Sequence, residues 1–514
     1  MTRLRHLVVV IPGIGGSVLS GPGAATGTGP GRTRYDLSPA GLARPVLSPG
    51  LLDLGRYPDL VPDGLVDGLA VLPPLLTLPG YQRLTQRLAN VFRGAVIQTY
   101  RPPQPVRADT DVLLFPYDFR RSVADAAQRL DEAVGEALRH RAGAGDAVGD
   151  GPPDRTGGGR PVIVVAHSMG GLVARYWAAV VDEGRRCEAL VLLGTPHRGA
   201  PKALDWLVNG AGVRGLRYGR ATRVIRGWPS VYELLPQYEA VWDPGAGGGA
   251  GASAELTVLP PELAAASPDL AEYAGQFAVM AAAGRRVHEQ IRDRWAGLDR
   301  APQVTAFMGR GHATLNLAVL DRGGLRVSKQ DPPWRGNAGW AGDGTVPMLS
   351  AIPPEQGDQP GVWRVMPDRH GPLGSIPEPA DILRLYAGDR VPVRGGELPE
   401  QPWLGLDLEE FAAADTEMEV TATLLPGPLD TGKAWITLTP ADGAPVQPYQ
   451  DQLSPTGTDP SGSPVWQATL PGRPPGSYEV IVQVEDVPRH GPVSASAAVA
   501  VLGPDPAGGA EGDW

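Results

Sequence analysis

Residues 161–171 read Pro-Val-Ile-Val-Val-Ala-His-Ser-Met-Gly-Gly, and no other stretch restricts the fold so tightly. Val162 to Val165 is a short, continuous apolar run rich in β-branched residues, the pattern of a strand buried on both faces. From Gly171 onward, Leu-Val-Ala-Arg-Tyr-Trp-Ala-Ala-Val-Val has helical spacing. Ser168 therefore sits between a buried strand and a helix, with a very small residue two positions away on each side. That is the pattern of a nucleophile elbow. The turn is so sharp that a larger side chain at Ala166 or Gly170 would clash with the strand or the helix; alanine stands where the usual pattern has its first glycine. An elbow obliges the remaining chain to supply a base, an orienting acid and an oxyanion hole.

Other strands extend the pattern. Leu7 to Ile11 is a second buried run, ending in Pro12-Gly13-Ile14-Gly15-Gly16-Ser17. A dinucleotide loop would need glycine at position 18, which is Val18, so that use is excluded. The alternative use of such a turn is to bring backbone N–H groups against a negative oxygen. The N–H groups of Ile14 and of Met169, directly after Ser168, are the expected oxyanion donors. Asp111–Pro116 is a further strand, followed by an amphipathic helix with Val123, Ala126, Leu130, Val134 and Leu138 on one face, and Ser122 and Asp125 resembling its capping box. Ala189–Leu193 follows the elbow helix. Strand alternating with helix predicts an α/β fold: a mostly parallel sheet with helices on both faces.

A serine hydroxyl needs an imidazole to take its proton and a carboxylate to hold that imidazole. In this class of fold the chain order is serine, acid, histidine. Of the eight histidines, His6, His140 and His167 precede Ser168, His197 follows it too closely, His288 and His312 precede the best acid, and His490 lies in the C-terminal region. His370 remains, in a loop after the expected last sheet strand, Val362–Met366. The best acid is Asp343, in Gly-Asp-Gly-Thr-Val-Pro; Asp368 is too close to His370 to align with it. The expected triad is Ser168, Asp343 and His370. The histidines lack metal-ligand spacing and the Asp343 loop lacks the other acids of a calcium loop, so no metal and no cofactor are expected. His167 beside the serine reads as an elbow-shaping residue. Tyr117 and Asp118 read as scaffold beneath the oxyanion turn.

Residues 204–235 interrupt the alternation and carry Trp206, Trp228 and five arginines at 214, 217, 220, 223 and 226. Two readings stand: a solvated helix, or a lid, apolar beneath, whose Arg214–Arg226 segment touches anionic head groups at a membrane surface. His197, Trp206 and Trp228 are the substrate or lid candidates, His197 with a structural role near the lid root as its alternative. Loops are expected at 19–50, 141–160 and 244–252, a helix at Tyr273 to Trp295 and a hairpin at Leu315–Val327. The expected boundaries are a catalytic domain at 1–390, with 204–235 as its lid region, a linker at 391–414, a small immunoglobulin-like β-sandwich at 415–503 and a disordered tail at 504–514. The sandwich rests on alternating runs at Met418–Leu424, Ala434–Leu438, Val465–Leu470, Tyr478–Val484 and Ser494–Val501.

The whole chain, 514 residues with net charge −10, argues against a general nucleic-acid binder. One cysteine, Cys187, excludes an intrachain disulfide and reads as a buried structural thiol. The N-terminal apolar run is too short for a signal peptide and no run spans a bilayer, so a cytoplasmic location is expected.

With these blocks placed, the sequence resembles the lecithin:cholesterol acyltransferase family of α/β-hydrolases, in a bacterial-style version. The matching blocks are Val10-Ile-Pro-Gly-Ile-Gly-Gly-Ser-Val-Leu, Phe115-Pro-Tyr-Asp-Phe-Arg, Ala166-His-Ser-Met-Gly-Gly, Gly194-Thr-Pro-His-Arg-Gly-Ala-Pro, Ser230-Val-Tyr-Glu-Leu-Leu-Pro and Gly342-Asp-Gly-Thr-Val-Pro, in family order. The resemblance implies nucleophile, acid and base at Ser168, Asp343 and His370, oxyanion donors at Ile14 and Met169, and cleavage of glycerolipid acyl esters or transfer of the acyl group to an alcohol. The lid disulfides of secreted animal members cannot form here, and the C-terminal β-sandwich lies outside the core family. A carboxylesterase on small soluble esters, and a hydrolase scaffold used for binding through its β-sandwich, are the competing functions.

Overall fold

The structure is a computed structural model. It describes residues 6–21, 33–35, 49–66, 70–72, 76–78, 80–92, 94–142, 160–210, 212–213, 216–217, 219–244, 252–254, 256–321, 324–332, 334, 341–357, 363–386, 402–426, 432–441, 446–488 and 490–503. Most of the loops expected at 19–50, 141–160 and 244–252, Arg214, the start of the 391–414 linker and the 504–514 tail lie outside the described residues.

Seven strands form one sheet: β1 (Leu7–Ile11), β2 (Val96–Thr99), β3 (Thr110–Leu114), β4 (Val162–His167), β5 (Cys187–Leu193), β6 (Gln303–Gly309) and β7 (Arg364–Met366). Their order is β7-β6-β5-β4-β1-β3-β2, and every pairing is parallel. The continuous apolar runs follow from burial on two faces. Leu7, Val9, Ile11, Val162, Val164 and Ala166 enter one core cluster, whereas Val8, Val10, Ile163 and Val165 enter a second. On the first face lie α2 (Val123–Ala142), α3 (Met169–Tyr176) and α6 (Pro268–Ala296); on the second lie α1 (Gln82–Val91) and α7 (Glu378–Tyr386). This is the expected α/β-hydrolase architecture. The chain enters at β1, builds outward to β2 and β3, then returns to place β4 on the other side of β1. The loops after β1 and β4 thus leave neighbouring strands at the point where the winding reverses, where parallel sheets form ligand crevices.

Two features go beyond the sequence pattern. Ser17–Ser20, within the turn and the expected loop, pairs antiparallel with Val61–Leu65. The helix expected at Tyr273 to Trp295 runs from Pro268 to Ala296, started by Ser267, whose side chain accepts from the Leu270 N–H.

The C-terminal residues form two sheets around their own core, including Leu404, Val420, Ile436, Trp466, Val480 and Val499. All five expected strands are present, each within a longer strand. The linker boundary is corrected: Trp403–Asp407 and Phe411–Ala413, inside 391–414, are strands of these sheets. The Pro- and Glu-rich flanks of Trp403–Asp407 mask its alternation, in which Leu404 and Leu406 turn into the core.

Candidate active site

Ser168 stands at φ 53°, ψ −130°, a strained conformation that aims its side chain out of the elbow. Its N–H donates to the Leu193 carbonyl at 2.8 Å, locking the turn to β5. The need for small residues is geometric. A Cβ on Gly170 would stand 2.3 Å from the Pro12 carbonyl oxygen and 2.9 Å from that of Ile11. Gly170→Ala is therefore expected to push the Pro12 turn off the elbow, costing about 3 kcal/mol of stability; urea unfolding of the variant measures it, and an unchanged midpoint would contradict the packing.

The structure brings Ser168, Asp343 and His370 together. His370 Nε2 lies 2.9 Å from Ser168 Oγ, and His370 Nδ1 lies 2.8 Å from Asp343 Oδ2. An ionised carboxylate only accepts, so Nδ1 donates and Nε2 is left to accept the serine proton. The other carboxylate oxygen of Asp343 accepts from the N–H groups of Thr345 at 2.9 Å and Val346 at 2.7 Å. Burial alone would raise the Asp343 carboxyl; the His370 ring and these two N–H groups outweigh it and hold the group below the ordinary carboxylate range. The glycines around Asp343 are required. A Cβ on Gly342 would lie 1.9 Å from the Val346 oxygen, and Gly344 has φ +93°. All three members are buried.

The turn after β1 packs against Ser168: a Cβ on Gly13 would come within 2.8 Å of Ser168 Cβ. The Gly13 N–H is taken by the Tyr81 hydroxyl at 2.7 Å, and the Gly16 N–H by the Gly13 carbonyl at 3.0 Å. The Ile14 N–H lies between them. Met169 opens α3, so its N–H has no acceptor within the helix. Of the two expected donors, Ile14 directly follows the Gly13 that packs on Ser168, and Met169 directly follows Ser168 itself.

His167 does more than shape the elbow. The Tyr81 hydroxyl, accepting from Gly13, has one proton to give, and it lies 2.8 Å from His167 Nδ1. His167 Nε2 therefore carries hydrogen and donates to the His370 carbonyl at 2.9 Å. Burial, then the neighbouring His370, push its pKa down to about 3, so the ring is neutral. The relay Gly13–Tyr81–His167–His370 joins the oxyanion turn to the base loop. Tyr81 was invisible to motif reading because its partners are far away in the chain. Thr314 was missed for the same reason; its Oγ1 accepts from the N–H groups of Gly342 at 3.0 Å and Gly344 at 2.9 Å.

The scaffold reading of Tyr117 and Asp118 fits the contacts. The Tyr117 N–H donates to Ser17 Oγ at 3.0 Å, and Asp118 pairs with the buried Arg120 through two 2.8 Å bonds.

The three lid or substrate candidates lie in different surroundings. Trp228 is buried in the main core and its indole N–H donates to the Leu52 carbonyl at 3.0 Å. Trp206 is buried beside Lys202, lining a cleft against Glu410 and Phe411. Neither tryptophan hydrogen-bonds or stacks with the triad among the described residues. Arg226 also departs from the outward basic face: it is buried, pairs with Asp269 at 2.6 Å and lies over the Tyr273 ring at 4.1 Å. The strongly amphipathic α5 (Gly219–Arg226) turns Val224 and Ile225 into the core and leaves Arg220 and Arg223 exposed. His197 is buried near Arg175, Arg198 and His288; burial first, then these cations, hold its pKa well below the ordinary value. Neither of its ring nitrogens has a hydrogen-bond partner among the described residues.

The cap of α2 is also corrected. Glu233, rather than Asp125, completes it: its carboxylate accepts from Ser122 Oγ at 2.6 Å and the Val123 N–H at 2.8 Å. Burial raises its pKa to about 7, against the opposing pull of these two donors. A raised carboxyl favours the protonated folded state, so its stabilising contribution is full below about 4.5 and is lost as pH rises through about 7. Glu233→Gln is expected to remove this slope, changing the stability difference from wild type by on the order of 2 kcal/mol between pH 4.5 and 8. Urea midpoints at the two pH values check it; parallel curves would contradict it.

Among the described residues, no group of three or more His, Cys, Asp or Glu side chains could hold a metal ion, and no helix is long and apolar enough to cross a membrane.

A family model described as a PGAP1-like alpha/beta domain matches residues 123–210, which run from α2 through the elbow to the end of α4 (Pro201–Val208). No curated protein matches the chain. Among solved structures, the Bacillus licheniformis lipase BlEst2 in its propeptide form is similar at 11% identity, over 96% of this chain and 93% of that one, with a TM-score of 0.31. A superoxide reductase (neelaredoxin) from Ignicoccus hospitalis shares 17% identity over 21% of this chain and 88% of its own, with a TM-score of 0.16. A CARDB domain from Pyrococcus furiosus shares 13% over 20% and 92%, with a TM-score of 0.14. These structural scores are too low to bear on function. The strands, helices and elbow, with the PGAP1-like match across the elbow, give this chain an α/β-hydrolase-type fold.

Proposed function

We propose that the chain is a serine hydrolase or O-acyltransferase acting on acyl esters of lipids through an acyl-enzyme on Ser168. The observation that carries this is the aligned run from Asp343 through His370 to Ser168 Oγ, with bonds of 2.8 and 2.9 Å. His370 Nε2 takes the Ser168 proton as Oγ attacks the ester carbonyl. The N–H groups of Ile14 and Met169 receive the oxyanion. His370 then protonates the leaving alcohol, and Ser168 keeps the acyl group. Water completes hydrolysis; a second alcohol completes transfer. The sequence resemblance to the lecithin:cholesterol acyltransferase family favours glycerolipid or phospholipid donors. The exposed Arg220 and Arg223 fit a transient contact with an anionic lipid surface.

A carboxylesterase on smaller esters is the second reading. It is favoured by the packing of Trp228, Ile225 and Arg226 into the core, which leaves less of 204–235 free to act as a lid. Product analysis on phospholipid vesicles, with and without a long-chain alcohol, separates the cases. Free fatty acid alone marks a lipase, and a new alkyl ester marks transfer. Turnover of p-nitrophenyl acetate without any action on the vesicles would overturn the lipid reading.

A further inference from the structure

We propose that the C-terminal β unit forms part of the catalytic apparatus, with Glu410 a positioning residue that holds the acid and base loops from outside the parallel sheet. This rests on the triad proposed above. Glu410 lies between the strands Trp403–Asp407 and Phe411–Ala413 and reaches across to the hydrolase unit. One of its carboxylate oxygens accepts from Thr345 Oγ1 at 3.2 Å, and the other pairs with Lys202 Nζ at 2.9 Å. Thr345 is the residue whose N–H holds the Asp343 carboxylate. Lys202 Nζ also reaches Thr345 Oγ1 at 3.4 Å. Glu410 therefore grips the acid loop at the residue that orients the acid.

The strand before Glu410, Trp403–Asp407, holds the base loop. Arg369, directly before His370, donates to the Leu406 carbonyl at 3.1 Å, and its guanidinium comes within 3.9 Å of Glu410. The Leu406 N–H donates to His312 Nδ1 at 3.0 Å, so His312 Nε2 carries hydrogen and donates to the Pro367 carbonyl at 2.8 Å. His312 also bridges to Asp343 through the backbone. Within five residues, Leu406 to Glu410, the chain thus meets Thr345, Lys202, His312 and Arg369, which adjoin Asp343 and His370 or bond to their neighbours. Close approach is built in: a Cβ on Gly405 would lie 2.2 Å from the Gly311 oxygen. Burial would raise Glu410, but Lys202 and Arg369 hold it below the ordinary carboxylate range, so its charge is retained.

A unit that served only to bind partners would have no reason to place a buried carboxylate on the acid loop. The alternative is that Glu410 merely ties the two units together. A second, partly exposed tie distinguishes these: Lys329 pairs with Asp407 at 2.6 Å and Glu409 at 3.3 Å, rather than with Glu410, Thr345 or Arg369.

The test uses the full chain and measures the rate of Ser168 labelling by a fluorophosphonate, together with kcat and KM on a p-nitrophenyl ester and Tm. Glu410→Gln is expected to slow labelling and lower kcat about tenfold or more, with KM within twofold, because loop misplacement acts on the reacting atoms. Glu410→Asp, which keeps the carboxylate, should recover part of the loss, and Lys329→Ala should label at the wild-type rate. Wild-type labelling with Glu410→Gln at the same rate would overturn the proposal, as would equal losses in Glu410→Gln and Lys329→Ala. A wild type that does not label would overturn the triad itself and this inference with it.

Discussion

Ser168→Ala is expected to lower kcat by roughly 10⁶-fold and to abolish fluorophosphonate labelling, while Tm stays close to wild type. The hydroxyl oxygen is the only heavy atom removed, and among the described residues its one hydrogen bond is donated to His370 Nε2, at 2.9 Å. The backbone N–H that locks the elbow to Leu193 is unaffected. Alanine also relieves nothing at the strained φ of 53°, because the strain belongs to the backbone. Mass spectrometry of the labelled protein gives the readout: a Ser168→Ala chain that still accepts the probe at the wild-type rate would place the nucleophile elsewhere.

The second large effect is a change of one atom. Asp343→Asn is expected to lower kcat about 10⁴-fold without loss of fold. Two backbone donors, Thr345 and Val346, converge on one oxygen of Asp343 at 2.9 and 2.7 Å. In the variant only the amide oxygen can serve them, so the amide NH₂ must face His370 Nδ1. A donor there forces Nδ1 to accept, and hydrogen moves to Nε2. The ring then cannot take the serine proton. The neutral amide is, if anything, easier to bury than the carboxylate, so urea unfolding should show little change. A variant retaining more than a hundredth of wild-type kcat would mean that another acid orients His370.

These expectations were largely legible in the chain. The strand–Ser–helix pattern located Ser168, and serine–acid–histidine order left His370 and Asp343. Most of the parallel sheet also followed, because parallel strands buried on both faces must be continuously apolar. The edge strand Val96–Thr99 escaped, being only half-buried and hence without a strong apolar run. The strand Trp403–Asp407 escaped because proline and glutamate surround it.

The lid shows the opposite failure. A basic segment reads as a solvated helix or as a lid with its arginines outward, yet Arg226 turns inward. Charge and periodicity identify an amphipathic helix but not what lies opposite it. Here Asp269 and the Tyr273 ring, both on α6, provide a place for a buried guanidinium.

By itself, then, the sequence determined the parallel sheet, the elbow and which serine, aspartate and histidine to look for together. These depend on local patterns, residue size at a tight turn and chain order. Only the tertiary structure decided what holds them in register: Tyr81 and His167 between the oxyanion turn and the base, Thr314 under the acid loop, and Glu410 and Leu406 reaching in from the C-terminal sheets. Each of those contacts joins residues far apart in the chain. A hydrogen bond between such partners leaves no period or spacing in either segment, so it exists only once the fold has brought the donor to its acceptor. The elbow placed Ser168; these distant contacts hold the loop that sets His370 against it.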